Sequence, residues 1–269
     1  MPIAYKAFRK IENIIRNELN KSGAQEVHMP ALQPVDLWEK SNRKESYGPV
    51  LFQLKDRRER ELVLGPTHEE VITQMVKSNV ESYRDLPLNL YQIQVKFRDE
   101  ARPRAGLLRG REFHMKDAYS FDIDQKGLDK RYDQMVEVYK SIFQKCGLPV
   151  LVVQADSGAI GGKDSQEFIL TTDVGEDTII YCNSCEYVAN SEKAVFKHDE
   201  LPIEDELNLI EVSTPLVKTI EDVSKFFNCD TKKTIKSVIY VIENELVMVS
   251  IRGDLDINEI KLSNIFKGK

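Results

Sequence analysis

The sequence predicts an α+β fold: a mostly antiparallel sheet flanked by two long helices, with a smaller α/β unit after about residue 198. Three observations predict it. Residues 3–20 and 128–146 carry apolar side chains at three- and four-residue steps, the period of an amphipathic helix. Residues 89–97 alternate apolar and polar, and a second extended run starts near Glu112, so two strands flank an arginine-rich loop. Beyond residue 217, a capped helix and two strand-like runs repeat the mixture on a smaller scale.

The elements follow in order. Phe8, Ile11, Ile15 and Leu19 form the stripe of the first helix, and Lys21-Ser22-Gly23 stops it. Glu26-Val27-His28-Met29-Pro30 reads as a short strand ended by proline, and Asp36 to Lys40 as a helical turn. Residues 50–54 and 60–64 read as strands around the charged turn Asp56-Arg57-Arg58. Thr67 is the expected cap of a helix running to Met75, with Glu70 at the capping-box position. Leu128, Tyr132, Met135, Tyr139, Ile142 and Cys146 make the stripe of the second long helix, and 149–154 and 177–182 are further strands. From Asp199 to Val217 there are six acids, no base, Pro202 and Pro215, which reads as a linker or solvated edge. Thr219 and Asp222 then cap a helix ending near Phe227, and strands at 236–242 and 245–252 meet across Glu243-Asn244. The expected domains are 1–197 and 198–269.

With 269 residues, 41% hydrophobic and 30% charged, the chain can bury a sizeable core, which excludes bulk disorder. No run of about 18 apolar residues occurs, so no membrane span is expected. Met1-Pro2 is soon followed by charge and not by an apolar targeting core, and the sparse cysteines make a reducing, cytoplasmic location the expectation. A net charge of −6 excludes a general polyanion-coating protein but leaves room for a local basic site. The four cysteines are too sparse for a disulfide scaffold. Cys182 and Cys185 form one C-x-x-C whose only nearby histidine is His198; two reduced thiols in a turn are favoured over zinc, and no metal is assigned.

The richest stretch runs from Val95 to Phe121. Between Lys96 and Lys116 seven bases oppose three acids, a local excess of four positive charges in an acidic chain. On charge alone a solvated hairpin tip fits as well as an anion site. The pattern favours the anion site: Arg98-Asp-Glu100 ends an amphipathic strand, and Arg109 and Phe113 follow at four-residue spacing. Guanidinium forks match phosphate oxygens, and an aromatic can cover a purine face.

Arg98-x-Glu100, a loop and Arg109-x-x-x-Phe113 resemble motif 2 of class II aminoacyl-tRNA synthetases. The lead-in helix with Glu26-Val-His-Met-Pro30 resembles motif 1, which builds the dimer interface in that family. Gly65-Pro-Thr-His-Glu-Glu70 resembles the amino-acid-binding loop of the prolyl member, and Gly110 to Phe121 resembles the bacterial-type prolyl-tRNA synthetases in particular. The resemblance implies a class II-like antiparallel sheet, a homodimer, and activation of proline by ATP with Mg²⁺, followed by transfer to tRNA(Pro).

It also implies roles. Arg98 bridges the proline carboxylate and the α-phosphate. Glu100 accepts from the adenine amino group, Arg109 holds the γ-phosphate, and Phe113 stacks on adenine. Thr67 and Glu69 take the secondary ammonium of proline, and Met115, Asp117 and Tyr119 line its pocket. The residues also allow plainer readings: Glu69 and Glu70 suit a helix start anyway, Met115 suits a core, and His68 does not share a helix face with its acidic neighbours. His114 alternates away from Met115 and is expected on the other side of the sheet. Ser157 to Ser165 is glycine-rich but lacks the phosphate-loop order; the resemblance places it at the border of the proline pocket.

Thr214-Pro215 through Lys261 resembles the insertion domain that edits mischarged alanyl-tRNA, with Lys236 as the matching functional lysine; a surface lysine at a strand start is the plainer reading. Editing answers a physical need, since a proline pocket gains only about 1–3 kcal/mol against a smaller amino acid. Motif 3, the later editing loop and the anticodon-binding domain of the family are absent from this sequence. The chain is therefore expected to be a segment, weak or inactive by itself in proline activation. An inactive synthetase-like binding protein is the alternative, and a free-standing deacylase a third. Against the second stands the presence of every motif residue; against the third, motif 2 beside an incomplete editing domain.

Overall fold

A computed structural model describes residues 1–156, 165–175, 177–195, 197, 208–242 and 244–267. The chain forms two compact units, Met1–Val152 with Ser157–Gly175, and Val153–Asp156 with Glu176–Lys269. The elements are α and β in mixture with mostly antiparallel pairing, the α+β class expected.

In the first unit, helix α1 (Pro2–Lys21) opens with proline in its first turn, where the missing N–H costs nothing. Its Leu19 is fully buried. Strand β1 (Gln25–Glu26) is shorter than expected. After Val27 donates to Tyr91 O at 2.8 Å, side chains replace the ladder: Met29 N–H donates to Gln92 Oε1 (3.1 Å), and Met29 O accepts from Gln94 Nε2 (2.6 Å).

Strand β2 (Leu32–Pro34), unforeseen in the sequence, is followed by helices α2 (Val35–Lys40) and α3 (Arg43–Tyr47). Strands β3 (Gln53–Lys55) and β4 (Glu61–Leu64) join β2 in an antiparallel sheet ordered β2-β4-β3. Asp56 holds the turn between them by accepting from the N–H groups of Arg58 (2.7 Å) and Arg60 (3.0 Å). Val35, Trp38, Leu51 and Val63 form the core beneath this sheet.

Helix α4 (Glu69–Asn79) starts one residue later than it would with Thr67 as its cap, and the expected capping box does not form. His68 is the cap residue. Thr67 Oγ1 donates to Glu69 Oε2 at 2.5 Å, and Glu70 is engaged by Ser41 and Arg43. These side chains satisfy one another instead of the helix end.

Strands β5 (Leu88–Phe97) and β6 (Glu112–Phe121) pair antiparallel over their whole length, from Leu88↔Phe121 to Phe97↔Glu112. With parallel β1 they form a sheet ordered β1-β5-β6. Helix α5 (Gln125–Lys145) follows; its Asp124 cap accepts from Gly127 N–H at 2.8 Å. Strand β5 is not half-buried as its alternation suggested, because both faces are covered. Tyr91 and Ile93 face Ile15, Leu19, Met135 and Val138 of the long helices. On the other face Leu90 packs with Met29 and Ile72, while Gln92, Gln94 and Lys96 are buried too. As expected, His114 lies on the helix side, edge-on to Phe8 with ring centres 4.7 Å apart. Strand β7 (Leu151–Ala155) bridges the division, and Phe168 of β8 (Ser165–Ile169) packs on Tyr139 and Phe143 of α5. The glycine-rich segment before Ser165 lies outside the described residues.

In the second unit, β9 (Ile179–Tyr181) pairs antiparallel with β10 (Val188–Asn190), which meets β7 in parallel at Ala189↔Gln154. Helix α6 (Ile220–Phe227) has the capping box its sequence announced, with Thr219 and Asp222 each taking the other's main-chain N–H. Strands β11 (Ile235–Ile242) and β12 (Glu245–Arg252) form a hairpin in the expected register, and α7 (Glu259–Lys267) follows. Much of the acidic stretch, 198–207, lies outside the described residues.

Candidate active site

The period of a strand gathers the site. Residues 113, 115, 117 and 119 share one face of β6, and the register sets them opposite Lys96, Gln94, Gln92 and Leu90 of β5. Phe113, Met115, Asp117 and Tyr119 thus stand in a row, all four of the β6 residues singled out in the sequence. Arg98 continues the row past the end of β5. Its main-chain N–H bonds to Arg111 O at 2.9 Å, and its guanidinium lies 5.3 Å from the centre of the Phe113 ring.

A polar network fills the floor of this face. Lys96 is fully buried, and its ammonium lies 2.9 Å from Asp117 Oδ1 and 3.0 Å from Oδ2. The same Asp117 Oδ2 accepts from Gln92 Nε2 (3.0 Å) and Tyr119 Oη (2.6 Å). Tyr119 Oη in turn accepts from the His68 main-chain N–H at 3.1 Å. Burial pushes the Tyr119 phenol upward, so it stays a donor at neutral pH. Lys96 Nζ also lies 2.6 Å from His68 Nδ1, and His68 Nε2 lies 3.0 Å from Pro30 O. An ammonium has only donors, so Nδ1 is the acceptor and Nε2 carries the hydrogen. Burial, then the Lys96 charge, pushes the His68 pKa down to about 4, which keeps the ring neutral.

Thr67 and Glu69 flank His68. Thr67 is buried, and Glu69 accepts from it and from Arg43 Nη1 at 3.2 Å. Arg43 also donates to Glu70 (2.9 Å) and to Tyr47 Oη (3.0 Å), and it stacks over the rings of Trp38 and Tyr47. Arg98 reaches the carbonyl of Pro66, one residue before Thr67, at 3.5 Å, and its buried Nε has no hydrogen-bond partner among the described residues. Chemically, this corner offers carboxylate and hydroxyl oxygens beside a guanidinium.

Glu100 and Arg109 lie farther along the loop and approach each other at 3.8 Å, with Arg109 half exposed. Lys236 belongs to the second unit. Its Nζ donates to Asp256 at 2.8 Å beside an open cleft of about 670 Å³ lined also by Thr219, Thr231 and Gly253. Among the described residues no group of three or more His, Cys, Asp or Glu gathers as for a metal; Cys182 and Cys185 are free and exposed.

Sequence reasoning missed three functional-looking residues: Lys96, His68 and Arg43. Lys96 sat at a polar position of an alternating strand, where solvent is the default neighbour. His68 was judged by helix-face geometry, although it precedes the helix. The signal available for Lys96 was its even spacing with Gln92, Gln94 and Arg98.

The family model for the tRNA synthetase class II core domain (G, H, P, S and T) matches residues 52–252. Curated relatives include proline–tRNA ligases of Dehalococcoides mccartyi, 56% identical over 267 residues, and of Caldicellulosiruptor saccharolyticus, 52% identical over 268. Each match covers 99% of this chain and 47% of the relative, so the chain spans about half the length of the curated relatives it matches. Among solved structures, a Giardia lamblia prolyl-tRNA synthetase in complex with prolyl-adenylate shares the fold, with a TM-score of 0.54 and 24% identity over 57% of this chain and 32% of that one. With a site face assembled from the motif residues and a family match over most of its length, the chain belongs to the class II tRNA synthetase core family.

Proposed function

We propose that this chain is the proline-activating part of a proline–tRNA ligase, which joins proline to ATP as prolyl-adenylate and passes it to tRNA(Pro). The observation that carries this reading is the pairing of opposite charge selectivities on one face. Arg98 suits a carboxylate and the α-phosphate, while Thr67 and Glu69 suit an ammonium, and an amino acid zwitterion offers both ends. The names of the curated relatives support proline as that amino acid.

Arg98 holds the reacting carboxylate against the α-phosphorus and offsets the repulsion between the two anions. A base stacked on Phe113 lies beside Arg98, whose guanidinium is 5.3 Å from the centre of that ring. Glu100 takes the adenine amino group, and Arg109 leaves its long ion pair for the γ-phosphate. Met115 packs against the pyrrolidine, and Asp117 and Tyr119 complete the pocket wall. Mg²⁺ bound to ATP would supply part of the neutralisation of the phosphate charge, and this chain's own contribution there is Arg98 and Arg109.

Residues 1–197 act as the catalytic core and 198–269 as the start of an editing unit for alanyl-tRNA, in which Lys236 binds the terminal adenosine or its phosphate. The cleft beside Lys236 supports that role. A cytoplasmic homodimer through α1 and β1 completes the proposal, supported by the exposed Ile3, Tyr5 and Ile11 of α1.

The test is proline-dependent ATP–pyrophosphate exchange by the full-length protein that carries this chain. Exchange is expected with proline, and Arg98→Ala should lower it by about 10²-fold or more. A wild-type protein that binds ATP without exchange would support an inactive binding protein instead.

A further inference from the structure

Lys96 is fully buried and the Asp117 beside it nearly so. Burying such a pair is costly, and apolar residues of similar volume often serve stability as well or better. Three donors converge on the Asp117 carboxylate: Lys96 Nζ, Gln92 Nε2 and Tyr119 Oη. All three bonds fall on Oδ2, while the buried Oδ1, 2.9 Å from the Lys96 ammonium, makes no hydrogen bond of its own among the described residues. What the network does grip is His68, twice. Lys96 donates to the ring at Nδ1, and the Asp117–Tyr119 arm receives the His68 main-chain N–H. The far side of the ring is tied to Pro30 O. His68 lies between Thr67 and Glu69, so a grip on both its ring and its backbone fixes the two flanking side chains.

We propose that Lys96 is a positioning residue for amino-acid recognition, which clamps His68 from two sides and thereby sets where Thr67 and Glu69 present their oxygens to the substrate amine. This rests on the proline-activation reading above. It also gives Asp117 a task besides lining the pocket: it relays the Lys96 charge to Tyr119. The nucleotide groups Glu100 and Arg109 make no contact with this network among the described residues, so the effect is confined to the amino acid.

The experiment is ATP–pyrophosphate exchange by the full-length protein, with KM measured separately for proline and for ATP. The double variant Lys96→Met/Asp117→Asn removes the ion pair without leaving one charge alone. The variant His68→Leu cuts the ring contact and leaves the ion pair intact, and it decides the matter should the double variant fail to fold. Each folded variant is expected to raise KM for proline about tenfold, with KM for ATP within about twofold of wild type. An unchanged KM for proline overturns the proposal, and so does a rise shared equally by ATP, which marks general loosening. A wild-type protein without proline-dependent exchange overturns the parent reading, and this one falls with it.

Discussion

The ammonium of Lys96 stands 2.6 Å from Nδ1 of His68, and neither residue is exposed to solvent. Two groups that both carry a proton in acid cannot share that distance at low pH. The His68 pKa of about 4, against the usual 6.5, follows from burial and from this neighbour. The unfolded chain binds a proton at pH 6.5 that the folded chain refuses until about 4, so stability is complete above 6.5 and is lost as pH falls through that window. The whole difference corresponds to roughly 3 kcal/mol. Denaturant unfolding between pH 7.5 and 4.5 should show the decline, and His68→Leu should flatten it. The carboxylate of Glu18, held down to about 2 chiefly by its hydrogen bond from Lys145, titrates below this range and does not mask it.

Arg43 is expected to matter for stability as much as for the site. Its removal leaves the Glu70 carboxylate, whose side chain is 3% exposed, with Ser41 alone. Arg43→Ala should cost roughly 3–5 kcal/mol, the usual result of orphaning a buried charge. Trp38 is the only tryptophan and is fully buried beside Arg43, so its fluorescence reports the transition directly.

Gly65 has no room for a methyl group. A Cβ there would lie 2.2 Å from Gln33 Nε2, and Gln33 is committed to Thr67 O (3.1 Å) and Trp38 Nε1 (2.9 Å). Gly65→Ala should destabilise by about 1–3 kcal/mol. Adding Gln33→Ala should give less than the sum of the two single losses, because the clash is gone; equilibrium unfolding of the single and double variants measures this.

Lys236 offers a clean separation of structural from functional worth. Its partner Asp256 is almost wholly exposed, and such pairs contribute little to stability. Lys236→Ala should therefore shift unfolding by about 0.5 kcal/mol at most. If the editing proposal holds, the same variant loses alanyl-tRNA hydrolysis in the full-length protein; hydrolysis at the wild-type rate would identify Lys236 as an ordinary surface lysine.

Much of the architecture was legible in the sequence where one short-range pattern decides it. The two long helices, the β5–β6 hairpin and the Thr219–Asp222 cap each follow from periodicity or local hydrogen bonding within a few residues. The candidate site positions on β6 came from the family resemblance, and the two-residue period of the strand puts Phe113, Met115, Asp117 and Tyr119 on one face. What escaped depends on distant partners. Strand β2 is three residues long and ends in Pro34, so only its pairing with β4 reveals it. The true cap of α4 is His68 because Thr67 and Glu70 are drawn to Glu69, Ser41 and Arg43. The burial of Lys96 depends on Asp117 and His68, 21 and 28 residues away.

The two faces of β5 also restrict how the chain can vary in length. Its odd-numbered residues Tyr91 and Ile93 pack against the helices, and its even-numbered residues Gln92, Gln94 and Lys96 are buried on the opposite face, across from Asp117, Met115 and Phe113. Gaining or losing a single residue inside Leu88–Phe97 would turn every later side chain over, placing Lys96 among the helices and Val95 in the floor. Substitutions can be absorbed one at a time by neighbours, but an indel here has no neighbour able to absorb it. A change of length is expected to be borne better in the arginine-rich loop beyond Phe97, where the exposed Leu107 and Leu108 mark chain that the strand parity does not constrain.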